Sequence, residues 1–365
     1  MPNLLRRNER AIAEAAATAE RARLLAQRVT LLARHWHTDE LPQALRAAEA
    51  AVRSANDARA QAELELARGV AAYYGADVDA AAAPVERALE TALALGDPGL
   101  QAECEARLGC IHGTLQREPA QVLGHLKRAV TLGQPHRPLA AARALYVVAT
   151  LYQEAELMDQ SVRHYRRATL IARRENDEQL LAALHRYMTL AQVQQVRRAR
   201  AAGRLDEEQV KQSLAGLGSA QQLSSVLSGE DERAVQAAPR RDAAPGRRAR
   251  TRRRGAGCGG RPRRTRRPHL GGHHRARRPR RLPAHCGRLL DAHRIGALAE
   301  SELEPGYADY ARAVVHDSLA ELAALIGRSD RQARHAELAR AAWENDRRYC
   351  GRLRDALLAQ GPLAD

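Results

Sequence analysis

The sequence predicts an all-α protein, an α-solenoid of antiparallel helix pairs interrupted by an arginine-rich segment without regular structure. Three observations carry this expectation. Ala, Leu, Arg and Glu dominate the 365 residues and β-branched residues are sparse, a composition that favours helix. Small residues recur at Ala48, Ala88, Ala129 and Ala168, at spacings of 40, 41 and 39. A fixed period near 40 made of two helices and two short turns marks a helical repeat array. Finally, the chain has no Phe and only 3% aromatic residues, so its core must be built from Leu, Ala and Val, with Ala where helices approach closely.

The elements follow in order. Residues 3 to 35 read as one helix or two short ones, with Leu4, Leu5, Ile12, Ala15, Ala16, Leu24, Leu25, Val29, Leu32 and Trp36 at three- and four-residue steps. From Glu40 the strings "LRAAEAA", "ERALETA", "KRAVTLG" and "RRATLIA" carry the four small residues. Between them lie "AELELARGVAAYYGAD", "AECEARLGCIHGTLQRE" and "AARALYVVATLYQEAEL", each followed by a turn-prone break at 75–77, 116–119 or 156–159. Asp97-Pro98 and the Pro135/Pro138 cluster break the other junctions, because Pro starts a helix more readily than it continues one. Residues 1–38 are therefore an N-terminal helical segment and 39–232 the repeats. Residues 233–290 form an Arg/Pro/Gly-rich segment, and 291–365 a last repeat with a terminal helix.

The net charge of +16 points to nucleic acid, yet its distribution does not. Residues 239 to 294 hold twenty arginines against two acids, Asp242 and Asp291, which leaves the remainder of the chain near neutrality. This block admits two readings. As a disordered basic arm it grips phosphates without sequence preference. As a frameshifted piece of a GC-rich gene it is a lost repeat, since Ala, Leu and Glu codons become Arg, Pro, Gly and His codons one base out of register. The 57 arginines against two lysines, Lys127 and Lys211, fit GC-rich bacterial codon usage. In either case the block has too little apolar surface to order.

The five cysteines form no CxxC pair. Cys258, His269, His273, His274, His285 and Cys286 lack the paired ligands of a zinc site. Gly255 to Gly260 precede no GK[ST]. No nucleophile is placed to use the scattered histidines. No catalytic residue, metal or cofactor is expected. No signal peptide and no membrane-length apolar stretch is present, so a cytoplasmic protein with reduced thiols is expected.

Val148-Ala149-Thr150-Leu151-Tyr152, then Glu156, Ser161, Tyr165 and Ala168, resembles the tetratricopeptide consensus. Leu108-Gly109-Cys110-Ile111-His112 with Ala129 is a weaker copy, and Arg68-Gly69-Val70-Ala71-Ala72 with Asp77 and Ala88 weaker still. The resemblance covers 40–202 and returns over 318–342. The "LGD"-type junction Leu95-Gly96-Asp97 and a final helix at 341–360 are similar to the sensory arrays of bacterial GGDEF diguanylate cyclases, although no GGDEF string exists in the chain. The resemblance implies a protein-protein interaction scaffold whose concave groove takes a protein or peptide. The alternatives are a sensory fragment of a cyclic-di-GMP signalling enzyme without its catalytic domain, and nonspecific nucleic-acid binding through the arginine block. By position on the first helix of each pair, Tyr73, Tyr74, His112 and Tyr146 are the candidate partner-binding residues. Tyr152 and Tyr187 read as packing positions, and His185 as a further groove position.

Overall fold

A computed structural model describes residues 3–75, 77–204, 208, 296–301, 303 and 308–360. The arginine block, with Cys258, Cys286 and the His pairs beside them, lies outside the described residues. The described chain is all-helical. Helices α1 (Asn3–Glu14) and α2 (Thr18–Arg34) are followed by α3 (Leu41–Ala55), α4 (Ala58–Tyr74), α5 (Val78–Ala94) and α6 (Pro98–Thr114). Then come α7 (Pro119–His136), α8 (Pro138–Glu154), α9 (Met158–Arg174), α10 (Glu178–Ala201), α11 (Asp309–Leu325) and α12 (Ser329–Gln360). Among the described residues no helix is long and apolar enough to cross a membrane.

Helix length is set at six junctions, spaced alternately twenty and forty residues apart. Trp36, Asn56, Gly96, Gln116, Glu156 and Asn176 all take a left-handed conformation, with φ between 48° and 62°. Such a residue terminates a helix by turning its backbone N–H back onto the last carbonyls. At three of these junctions the next residue is an aspartate that starts the following helix. Asp57 accepts from the Ala60 amide at 2.7 Å, Asp97 from Leu100 at 3.0 Å and Asp177 from Leu180 at 2.9 Å, satisfying amides that the first turn leaves open. A 17-residue helix spans about 25 Å, whereas three turn residues reach at most about 10 Å. Each helix must therefore fold back along its predecessor.

Proline at the first helical position helps at α6 and α8. Pro135 differs from expectation: it lies inside the last turn of α7, and only Pro138 marks a start. The segment 341–360 is likewise not a separate helix, because α12 runs 32 residues unbroken from Ser329.

Consecutive helices pack on one another, and alternate ones also touch: α2 on α4, α4 on α6, α6 on α8 and α8 on α10. These five make an inner layer, with α3, α5, α7 and α9 outside it. Ala48, Ala88, Ala129 and Ala168 are all fully buried between the layers, as the 40-residue spacing predicts. The inner-layer register Gly69, Gly109 and Ala149 is also small. A Cβ on Gly69 would lie 2.4 Å from Val85 Cγ2, and one on Gly109 2.5 Å from Leu126 Cδ2. In the next pair the Ser161 hydroxyl donates to the Ala149 carbonyl at 2.8 Å. Helices α11 and α12 pair through Tyr310, Val314, Ala342 and Trp343. The far half of α12 inserts Tyr349, Leu353 and Leu357 into the core of α7, α8 and α9, and Arg198 of α10 grips Asp346 at 2.8 and 3.0 Å.

Candidate functional site

The inner layer presents two adjoining groups of side chains. The first is aromatic and lies near the C-terminal ends of α2, α4 and α6 and the middle of α8 and α10. Trp36, in the turn after α2, meets Tyr74 edge-on at 5.5 Å, and Tyr74 meets Tyr73 edge-on at 5.4 Å. The Tyr73 hydroxyl is 3.3 Å from Thr114 Oγ1 and 3.4 Å from the Cys110 thiol of α6. Tyr146 of α8 and Tyr187 of α10 contact ring to ring at 5.1 Å, and Tyr187 lies within electrostatic reach of Tyr74 and Cys110. Burial drives the phenols of Tyr73, Tyr146 and Tyr187 above their ordinary range, so all three stay neutral. Together the rings form a neutral wall able to stack on or pack against an apolar ligand group.

Three of the four sequence candidates thus come together: Tyr73, Tyr74 and Tyr146. Tyr73 differs from the expectation of an exposed contact, since only 6% of it is accessible; it supports the wall from behind, while Tyr74 and Tyr146 are half-buried. His112 does not join them. It is buried on the other side of α6, edge-on to His125 of α7 at 5.2 Å, and burial pushes its pKa down. Tyr152 is a packing residue stacked on His164 at 5.2 Å, as expected. Tyr187 is instead part of the inner wall, and His185 is exposed. The site residue that sequence reasoning missed is Trp36: the apolar periodicity reads it as continuing the first helical segment, whereas it lies in the turn after α2 with a left-handed backbone.

The second group is a buried network of charges. Glu103 of α6 is its centre. Arg143 Nη1 of α8 donates to both of its oxygens, at 2.6 and 2.5 Å, and Arg107 Nε donates to Oε1 at 3.2 Å. Arg137, which precedes α8, lies 3.6 Å from Glu103 and donates to Glu63 of α4 at 3.3 Å. Beside them Arg34, at the end of α2, donates to Asp177 at the start of α10 at 2.8 Å, with side chains only 5% and 1% accessible. Gln179 adds a bond from its amide nitrogen to the Arg34 carbonyl, and Asn3 one to Glu178. The first and last inner helices therefore meet across the layer.

Burial raises the pKa of Glu103, but the guanidiniums of Arg143, Arg107 and Arg137 outweigh it and hold the carboxyl far below the usual range. Asp177 behaves alike: burial pushes it up, and Arg34, Arg143 and the Leu180 amide bring it down overall. Arg143 is pushed down to about 10, by burial first and then by Arg34 and Arg107, against the attraction of Glu103. Among the described residues the network holds four arginines, Arg34, Arg107, Arg137 and Arg143, and three acids, Glu63, Glu103 and Asp177.

The sequence signal for this network was present. Glu63, Glu103 and Arg143 are 40 residues apart in the inner-helix register, where a purely structural array would carry apolar residues. A second register, Glu65 and Glu105, points to the outer layer. Glu65 bonds Arg87 at 2.7 Å and Glu105 bonds Arg128 at 2.6 Å, tying each inner helix to its partner.

Among the described residues there is no group of three or more His, Cys, Asp or Glu arranged to hold a metal ion. Cys104 is buried in the core between α4, α5 and α6, Cys110 packs against the same core, and the two form no disulfide. No protein-family model matches the chain, and no curated protein matches it in sequence.

Proposed function

We propose that the chain is a cytoplasmic interaction scaffold: a tetratricopeptide-like α-solenoid with no catalytic activity of its own, whose inner face takes a segment of another protein. The observation that carries this reading is the convergence of Trp36, Tyr74, Tyr146 and Tyr187, from the turn after α2 and from the inner helices α4, α8 and α10, on one inner surface. Aromatic side chains supply large contact area at low entropic cost and are the usual anchors of protein recognition. Alternating inner and outer helices, with small residues every 40 positions at their crossings, support the repeat assignment.

Selection of peptides from a displayed random library against the full-length chain tests the reading. Peptides that bind are expected to lose at least tenfold in affinity with Tyr74→Ala or Trp36→Ala, and to be unaffected by Arg166→Ala on the outer helix α9. Binders indifferent to both inner-face changes, or a purified chain that turns GTP into a cyclic dinucleotide, overturn it.

A further inference from the structure

The network around Glu103 is not electrically closed. Among the described residues four guanidiniums face three carboxylates, which leaves one positive charge in excess; Arg34, Arg107 and Arg143 are largely withdrawn from water and Arg137 is 28% accessible. The hydrogen bonds are not closed either. Arg107 Nη2 and Arg143 Nε are both buried and bond to no group among the described residues. Both guanidiniums meet at the same oxygen, Glu103 Oε1, so their unused donors belong to neighbouring groups rather than to separate defects. An uncompensated buried cation and orphaned N–H donors each cost free energy. A sequence serving stability alone would replace Arg107 with the apolar residue found one register away, Ala67 or Val147, both on inner helices.

We propose that this cluster is a binding site for a small oxyanion, a phosphate or a carboxylate group, held by Arg107 Nη2 and Arg143 Nε. An oxyanion supplies the missing negative charge and several acceptor oxygens at once. Guanidiniums are the side chains whose planar donors match that geometry. Glu103 holds both arginines in place, and the Arg34–Asp177 bridge closes the neighbouring side, so the donors are positioned before the ligand arrives. The proposal is independent of the scaffold reading, because it needs no protein partner.

Thermal melting of the full-length chain in sodium phosphate, sodium acetate and sodium chloride at matched ionic strength tests it. The wild type is expected to gain about 5 °C or more in phosphate or acetate at a hundredfold excess over the dissociation constant. The gain saturates, and the more effective of the two anions identifies the group. The twenty arginines of 239–294 also draw anions, so the readout is the difference between wild type and Arg107→Gln, which should lose the gain. Arg128→Gln, on the surface of α7, should keep it. If Arg107→Gln does not fold, Arg107→Lys serves. It keeps the charge, but its ammonium is a compact point donor without the planar fork that sets Nε on Glu103 and Nη2 beside it, so its response should fall severalfold. Equal gains in chloride and phosphate, or an undiminished response in Arg107→Gln or Arg107→Lys, overturn the proposal.

Discussion

Gly69→Ala and Gly351→Ala are the same chemical change and should move stability in opposite directions. Alanine in a helix interior gains roughly 0.5–1 kcal/mol over glycine from reduced backbone entropy. At Gly351, on the exposed side of α12, nothing lies within 4 Å of the new Cβ, so the full gain should appear. At Gly69 the new Cβ would sit 2.4 Å from Val85 Cγ2 and 2.8 Å from the Ala81 carbonyl oxygen. A rotamer change can relieve the first contact. The second is backbone, and only withdrawal of α5 from α4 relieves it. Overpacking of this kind costs about 1–3 kcal/mol, more than the propensity gain, so Gly69→Ala should lose about 1–2 kcal/mol. Urea denaturation followed by helical circular dichroism, with midpoints compared at constant slope, measures both. The two variants should differ by roughly 2 kcal/mol or more. Equal stabilisation in both would show that α4 and α5 are not in the close contact described, and with it the role of small residues at 69, 109 and 149 would fall.

Arg34→Met should cost about 3–5 kcal/mol, because it strands the Asp177 carboxylate in a site 1% accessible; a loss under about 1 kcal/mol in the same denaturation assay would deny the bridge between α2 and α10. Asp177 is depressed in the fold, so its contribution is fully present above its unfolded value of about 4 and is lost as pH falls through the folded value. The acid limb of a melting-temperature profile should accordingly be steeper for wild type than for Asp177→Asn. Ala129→Trp should destabilise by about 1–3 kcal/mol, since Ala129 is fully buried between α7 and its neighbours; an unchanged melt would place the outer-layer register elsewhere.

The helices were legible because their two signals are local. Apolar spacing places the faces, and the small residues at 48, 88, 129 and 168 place the crossings, which the structure buries completely. Of the junctions, those at 116–119 and 156–159 were legible as turn-prone breaks and that at Leu95-Gly96-Asp97 by its glycine and aspartate. Asn56-Asp57 and Asn176-Asp177 play the same part, since asparagine tolerates the left-handed conformation nearly as well as glycine. Trp36, Gln116 and Glu156 adopt it too, and nothing in those side chains announces it. There the neighbouring helices impose the turn, at a local cost that packing offsets. Pro135 misleads for a related reason. A proline in the last turn of a helix removes a bond from only one turn, and α7 continues through it to His136.

The site was half legible, and the division follows range. Tyr73, Tyr74 and Tyr146 could be chosen by their place on the first helix of each pair, but His112 shares that place and faces the opposite way. His112 stands 40 residues before Tyr152, in the packing register, and like it turns to a histidine of the following outer helix, His125 as Tyr152 does to His164. The charged network depends on contacts across 143 residues of chain, from Arg34 to Asp177. No periodicity within one repeat can disclose a partnership between the first inner helix and the fifth. What the sequence does contain is an anomaly: Glu63, Glu103 and Arg143 occupy one repeated position that the packing of helix on helix would fill with an apolar group. Charges held at a buried register need partners, and the number of arginines that supply them exceeds the number of acids. That excess among the described residues, rather than any motif, is what supports the oxyanion proposal.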